Sequence, residues 1–285
     1  MKYLVLFTFL CFTQAKGQLK FENFEEISGY FSYTGAKKKI ISGHRGTHIP
    51  NYPENSLEGF VHVLQSTPAF FEVDPRLTKD SVIVLLHDAT LDRTTTGIGK
   101  LSDYTWEEVK KLKLKDSQGN ITPYRIPTLQ EAMDWAKGKT VLNLDKKDVP
   151  LAMIAAIISK NKAENYMMVT VHNVEQAQFY HSSNPKLMMS AFVKTEKAFK
   201  EYAEAGIPWK NMIAYIGSED KPENKIMFDL LHAKGVSCML SSAPTYNKLK
   251  TVEERAEAYR RVFANGADIL ESDYPIEVWR ALQEK

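Results

Sequence analysis

The sequence predicts a TIM (β/α)8 barrel. Nine short runs read as strands from their apolar or alternating character: 40–43, 71–78, 82–87, 140–144, 167–171, 187–191, 212–216, 236–240 and 269–271. Helical patterns separate most of them. A crossover between parallel strands needs about a dozen residues, and the gap from Thr78 to Val82 is far shorter. One strand of that pair is therefore a hairpin partner, and eight βα units remain. Eight units over roughly 250 residues is the size of this barrel. A doubly wound open sheet is the runner-up, disfavoured because no Gly-rich dinucleotide loop appears. There is no internal repeat.

Composition sets the outer bounds. With 285 residues and 44% hydrophobic content, the chain can bury a large core, which excludes disorder and collagen-like structure. A net charge of +2 with interspersed signs argues against a nucleic-acid or membrane-surface patch and leaves room for a small anionic substrate. Nothing in the sequence sets the oligomeric state.

Residues 1–15, MKYLVLFTFLCFTQA, have the layout of a secretory signal peptide: a lysine, an apolar run and small-polar-Ala before Lys16. The expectation is export to the periplasm or the cell exterior. The run is too short for an ordinary spanning helix of about 20 apolar residues, and the mature chain has no second span. Cleavage removes Cys11 and leaves Cys238 alone, so no intrachain disulfide is expected. Residues 16–39 read as a solvated lead-in, and 40–285 as the barrel.

The first strand ends in Gly43-His44-Arg45-Gly46, and Asn55 or Ser56 can cap a helix carrying Leu57, Phe60, Val61 and Leu64 on one face. His44 and Arg45 thus sit at a strand's C-terminal end, where parallel sheets place their chemistry. In residues 71–88, alternation puts Glu72, Asp74, Arg76 and Thr78 on one face. A two-residue turn at Lys79-Asp80 would pair Thr78 with Ser81, set His87 opposite Glu72, and group Val82, Val84 and Leu86 with Val73 behind them. Residues 89–127 form a polar insertion after the third strand-like segment, with one short helix near 106–112. Gly97-Ile98-Gly99-Lys100 within it lacks the spacing of a phosphate-binding loop and reads as a turn. From Pro127 the alternation resumes with a helix at 128–137, a strand ending in Asp145-Lys146-Lys147, and a helix at 151–160.

Glu72, Asp74 and Asp145 therefore fall on or just after strands that share an edge. Two or three convergent carboxylates suit a hard divalent cation, Mg2+ or Ca2+, while the absence of clustered Cys and of an i, i+4 His pair on a helical pattern argues against zinc; His44 and His48 have that spacing but stand in a loop. His44 and His87 lie beside these acids. For a phosphate ester, one imidazole can take a proton from the attacking hydroxyl while the other protonates the leaving oxygen. Arg45 and Lys147 could hold phosphate oxygens. His48, His62, His172, His181 and His232 read as structural or surface residues.

The motifs His44-Arg45-Gly46, Pro53-Glu54-Asn55-Ser56, Glu72-x-Asp74, Thr78-Lys79-Asp80, His87-Asp88, Leu91-Asp92-Arg93-Thr94-Thr95, Gly97-x-Gly99 and Ile126-Pro127-Thr128-Leu129 stand in this order. Together they resemble the signature of the glycerophosphodiester phosphodiesterase family, densely from residue 40 to about 147. The resemblance implies a TIM barrel with an insertion after His-Asp. It implies His44 and His87 as general acid and base, Glu72, Asp74 and Asp145 as ligands of one divalent cation, and Arg45 and Lys147 as phosphate contacts. Where the family usually reads Glu-x-Lys, this chain has Asp145-Lys146-Lys147, one methylene shorter. Ser272-Asp273-Tyr274-Pro275 is similar to the closing Thr-Asp-x-Pro, but 236–242 lacks the Trp-Thr strand.

The implied activity is metal-dependent hydrolysis of a small glycerophosphodiester to sn-glycerol 3-phosphate and an alcohol, with water or the glycerol 2-hydroxyl as nucleophile. Two alternatives share the residues: a phosphodiesterase acting on a lysophospholipid or phosphoinositide, and a phosphodiester-binding protein without turnover.

Overall fold

Period-2 alternation in eight short strands builds two different interiors on one frame. In the computed structural model, which describes residues 18–36 and 38–284, the strands are β1 (Ile40–Gly43), β2 (Phe70–Val73), β3 (Pro75–Leu77), β4 (Ile83–Leu85), β5 (Leu142–Leu144), β6 (Met167–Val171), β7 (Met188–Phe192), β8 (Met212–Gly217), β9 (Cys238–Ser241) and β10 (Ile269–Ser272). All but β3 and β4 close into a parallel barrel in the order β1-β2-β5-β6-β7-β8-β9-β10. The TIM barrel is thus observed. No helix among the described residues is long and apolar enough to cross a membrane.

One face of each strand packs under the surrounding helices, with Ile41, Phe71, Leu142, Val169, Met189, Ala214, Leu240 and Leu270 in one large core. The other face points into the lumen. Its lower tier is wholly apolar: Ile40, Phe70, Val141, Met168, Met188, Ile213, Met239 and Ile269 form a separate cluster. Two residues further along each chain, the same face carries Ser42, Glu72, Asn143, Thr170, Ser190, Tyr215, Ser241 and Glu271.

The lower tier is closed from below by α1 (Phe24–Phe31). Asn23 caps this helix by accepting from the Glu26 amide, and Phe24, Ile27 and Phe31 fall at helical spacing on one buried face. Phe31 meets Phe70 edge-on with ring centroids 5.2 Å apart, and Ser28 donates to the Lys210 carbonyl at 2.7 Å. Residues 24–31 are therefore a plug in the barrel floor, which corrects the expectation of a solvated lead-in over 16–39. The expected signal peptide, with Cys11, lies outside the described residues.

The barrel strands fall within two residues of the sequence reading at each end, and the larger difference is at 71–88. The run 71–78 divides: β2 stays in the barrel, while β3 leaves it and pairs antiparallel with β4 in the register Pro75↔Leu85, Arg76↔Val84, Leu77↔Ile83. That register is one residue away from the expected Thr78–Ser81 pairing. Thr78 pairs with Val82 instead, and Lys79-Asp80-Ser81 form a three-residue loop ending with Ser81 at φ 63°. Val82, Val84 and Leu86 do share a face, but they pack on Leu91, Leu101, Val109, Leu114 and Ile126 of the insertion, whereas Val73 lies in the main core. Residues 89–127 thus own a small core, including α3 (Trp106–Val109). Ser56, not Asn55, caps α2 (Leu57–Leu64), and Thr128 with Glu131 forms a capping box on α4 (Leu129–Ala136).

Candidate active site

The loop after β1 is shaped by two glycines that tolerate no side chain. A Cβ on Gly43 would lie 2.1 Å from the Gly46 carbonyl oxygen, and one on Gly46, at φ +83°, would strike the Phe60 ring at 2.3 Å. The tight turn between them puts Arg45 in the left-handed region, φ 53°. That strain is held by hydrogen bonds: the Arg45 amide donates to Glu72 Oε2 at 2.9 Å, and its carbonyl accepts from the Asn55 amide at 2.8 Å. Asn55, also left-handed, then locks Asp74 from both sides. Its Nδ2 donates to Asp74 Oδ2 at 2.6 Å and its Oδ1 accepts from the Asp74 amide at 3.0 Å.

Glu72, Asp74 and Asp145 bring carboxylate oxygens within 4.8 Å of one another. Asp145 therefore reaches the cluster despite its shorter side chain. Burial, then the charges of Asp74, Asp145 and Glu271, push the Glu72 carboxyl well above its ordinary range. Asp145 is held well below its own. Burial opposes its charge, but a hydrogen bond from His172 and the neighbouring Lys147 ammonium prevail. Lys147 Nζ lies 2.5 Å from Asp145 Oδ2 and 3.0 Å from Asp74 Oδ1. The latter approach is off the hydrogen-bond direction, so buried Asp74 Oδ1 keeps no hydrogen-bond partner. Three crowded carboxylates, one carrying an orphaned oxygen and one displaced toward neutrality, fit an all-oxygen site for a divalent cation.

Each predicted catalytic histidine has its own aspartate. His44 Nδ1 is 2.7 Å from Asp273 Oδ1, and His87 Nδ1 is 2.7 Å from Asp88 Oδ1. In both rings it is Nδ1 that faces the aspartate, which leaves Nε2 as the outward nitrogen. Their environments push them apart. Burial disfavours the His44 imidazolium, but the Asp273 hydrogen bond and the charges of Glu271 and Asp273 outweigh it and raise the pKa. At His87 burial wins over Asp88, and the pKa falls. Arg93 ties the second pair to the first loop: it donates to Asp88 at 2.7 and 3.0 Å and to both Glu54 oxygens at 2.8 Å, while Glu54 also accepts from Arg45 at 3.3 Å.

A cavity of about 480 Å3 opens over the upper tier. His44, Arg45, Glu72 and Asp145 line it, whereas Asp74, His87 and Lys147 do not. Lys147, expected on phosphate, lies against two of the acids, Asp74 and Asp145. Residues without an assigned role in the sequence reading also belong here. Glu271 and Asp273 line the cavity, as does His48, which was read as structural and lies 3.3 Å from Glu54. His172, read likewise, is 3.5 Å from Asp145. The one available signal was position: Glu271 and Asp273 stand at the end of the last strand, as His44 does at the end of the first. The described residues also gather His232, Cys238 and Asp268 near the barrel floor. There Asp268 Oδ2 is already committed to His232 Nε2 at 2.8 Å and the Cys238 amide at 2.9 Å.

Residues 44–248 match the model of the "Glycerophosphoryl diester phosphodiesterase family". A glycerophosphoryl diester phosphodiesterase from Parabacteroides distasonis, known from its crystal structure, is 52% identical over 93% of each chain, with a TM-score of 0.92. A glycerophosphodiester phosphodiesterase from Caldanaerobacter subterraneus subsp. tengcongensis is 39% identical over 106 residues, 37% of this chain and 43% of that relative. An Oleispira antarctica phosphodiesterase, solved with its product sn-glycerol-3-phosphate, shares the fold at a TM-score of 0.66 and 20% identity, over 90% of this chain and 99% of that one.

Proposed function

Because the chain belongs to the glycerophosphoryl diester phosphodiesterase family, we propose that it hydrolyses glycerophosphodiesters to sn-glycerol 3-phosphate and an alcohol, using His44 and His87 to move protons. The observation that carries this reading is the pairing of two aspartate-held imidazoles with a cluster of three carboxylates beside one cavity.

Hydrolysis needs a proton removed from the attacking oxygen as it bonds to phosphorus, and a proton delivered to the alcohol oxygen as its bond breaks. The opposed displacements of the two histidines support a division of labour, with His44 the ring that holds a proton more readily and His87 the one that gives it up more readily. Asp273 and Asp88 fix which nitrogen faces the substrate. Glu72, Asp74 and Asp145 would hold one divalent cation, Mg2+ or Ca2+, which supplies Lewis-acid polarisation of the phosphoryl group when bound. Arg45, facing the cavity, suits the nonbridging phosphate oxygens, and Lys147 balances the acids beside it. The Oleispira protein's bound product supports the glycerol phosphate half of the reading.

Release of sn-glycerol 3-phosphate from glycerophosphocholine, followed with and without EDTA, tests the proposal. Metal-restored activity is expected, and undiminished rates in EDTA would overturn the metal assignment. Export is part of the proposal; an N-terminus at Lys16 in protein recovered from outside the cytoplasm would support it, and an intact Met1 there would not.

A further inference from the structure

Asp273 holds the His44 ring, and its own side chain must be held in turn. The Asp273 backbone carbonyl is fixed twice, by the Thr47 hydroxyl at 2.9 Å and the His48 amide at 3.1 Å. The carboxylate is less constrained: Oδ1 meets His44 Nδ1 at 2.7 Å, and a side chain with one firm partner can turn about its own bonds and take the ring with it. Behind it lies a buried knot of side chains. After β9, Ser242 opens a turn closed by the Asn247 amide, which donates to the Ser242 carbonyl at 3.0 Å and sets Asn247 beside Ser272 at the end of β10. Three hydroxyls converge on Asn247 Oδ1: those of Ser242 and Tyr259 at 2.8 Å and that of Ser272 at 3.0 Å. Ser272 Oγ already accepts from the Tyr274 amide at 3.0 Å, so its proton is free for Asn247. All four side chains are buried, and Tyr259 stands on the helix over Val252–Ala264.

An amide whose oxygen is committed to hydroxyls turns its nitrogen the other way. Asn247 Nδ2 is buried and makes no hydrogen bond of full geometry. The anion beside it is Asp273, the residue after Ser272; burial raises the Asp273 carboxyl, but His44 and then Asn247 hold it below its ordinary range. The reverse orientation would set the amide oxygen against a carboxylate, acceptor to acceptor. A buried donor short of a full hydrogen bond costs stability, which an apolar side chain at 247 would avoid; a donor that steadies an anion accounts for the amide. Asn247 does not line the cavity, although Pro244 and Lys248 do, so any effect on the reaction passes through Asp273. We infer that Asn247 is a positioning residue: it fixes the Asp273 carboxylate against β9, β10 and the helix at 252–264, and so fixes the direction of the His44 ring. The inference rests on the phosphodiesterase reading and adds what keeps one of its proton-transfer groups aimed.

Steady-state hydrolysis of glycerophosphocholine by the full chain, a thermal melt, and nitrogen NMR of the histidine rings test this together, with the His44 signals assigned by their loss in His44→Gln. Asn247→Ala is expected to lower kcat by about tenfold to a hundredfold, the scale of an ångström-sized misplacement. KM should change by less than about twofold, and the His44 Nδ1 signal should shift. In an Asp273→Asn background the same substitution should cost no further kcat, because groups that act as one unit do not add; a general loss of packing would persist there. If Asn247→Ala melts early, Asn247→Asp keeps an oxygen for the three hydroxyls and sets a second carboxylate against Asp273. Assayed at about pH 8, above the carboxylate range, it should also lower kcat and displace the His44 signal. Wild-type kcat in folded Asn247→Ala, or in Asn247→Asp where alanine is not tolerated, would overturn the assignment. So would an equal loss in the Asp273→Asn background, or a fall in kcat with the His44 signals unmoved. If the wild type does not hydrolyse glycerophosphocholine, the phosphodiesterase reading fails, and the His44 signals of the Asn247 variants still decide whether Asn247 orients the ring.

Discussion

The two tiers inside the barrel are separated by two residues of strand, about 6.6 Å, and differ in almost every physical respect. The lower tier is eight apolar side chains sealed by Phe24, Ile27 and Phe31. The upper tier mixes hydroxyls, an amide, a tyrosine and two carboxylates beneath an open cavity. The same backbone, in the same register, serves both. What separates stability from chemistry in this protein is the side-chain alphabet chosen at alternate positions, with no change of architecture between them. The lower tier can be close-packed because nothing there needs water or a ligand. The upper tier accepts burial of charge because Arg45, Lys147 and the backbone offset it.

This division predicts that damage above and below should be read by different instruments. His44→Ala should lower kcat by about 10²–10⁴-fold, the usual contribution of a positioned acid or base, with the melting temperature nearly unchanged. Steady-state kinetics beside a thermal melt would check both halves, and a large loss of stability would blur the division. Below, Phe31→Ala should destabilise by about 3–5 kcal/mol in urea unfolding, with activity per folded molecule preserved. A kcat falling in step would show that the plug reaches the chemistry.

Asp273→Asn acts on the upper tier alone. His44 is held above the ordinary histidine value by Asp273, so losing that partner lowers its pKa. If protonated His44 is needed, the basic limb of the pH–rate profile moves to lower pH; a limb that stays put would deny His44 that role. The smallest effect is expected far from both tiers. Arg125 holds the Glu131 carboxyl down at about 2 within the capping box of α4. This carboxyl is depressed, so its stabilisation is present above the ordinary glutamate value and is lost as pH falls through about 2. The pair is half-exposed, so Arg125→Ala should cost no more than about 1 kcal/mol at neutral pH and less near pH 2, measured by urea unfolding at both.

Much of this was legible in the sequence, for identifiable reasons. Strand ends are marked by local alternation and glycine, so His44, Glu72, Asp74 and Asp145 could be placed on one rim without coordinates. The hairpin register could not, because it hinges on Ser81 adopting φ 63°, a conformation serine does not advertise. Asp273 was hidden by distance: its bond to His44 spans 229 residues. The plug carries local signs of its own, since Asn23 before Glu26 and the spacing of Phe24, Ile27 and Phe31 are ordinary marks of a capped amphipathic helix. Lys147 shows what sequence order cannot convey: with two carboxylates in reach its ammonium settles against them, at 2.5 Å from Asp145 and 3.0 Å from Asp74.

The plug also imposes an order of events on the growing chain. Helix α1 is among the first described segments to be synthesised, yet its seat is made of Ile40, Phe70, Val141 and, last, Ile269. It has no finished surface to dock on until β10 has been made and the barrel has closed, so the earliest described helix is among the last to find its place. Contacts of such long sequence separation are slow to form. Until they do, Phe24, Ile27 and Phe31 stay exposed and open to any chaperone that recognises apolar side chains on a chain still waiting to fold.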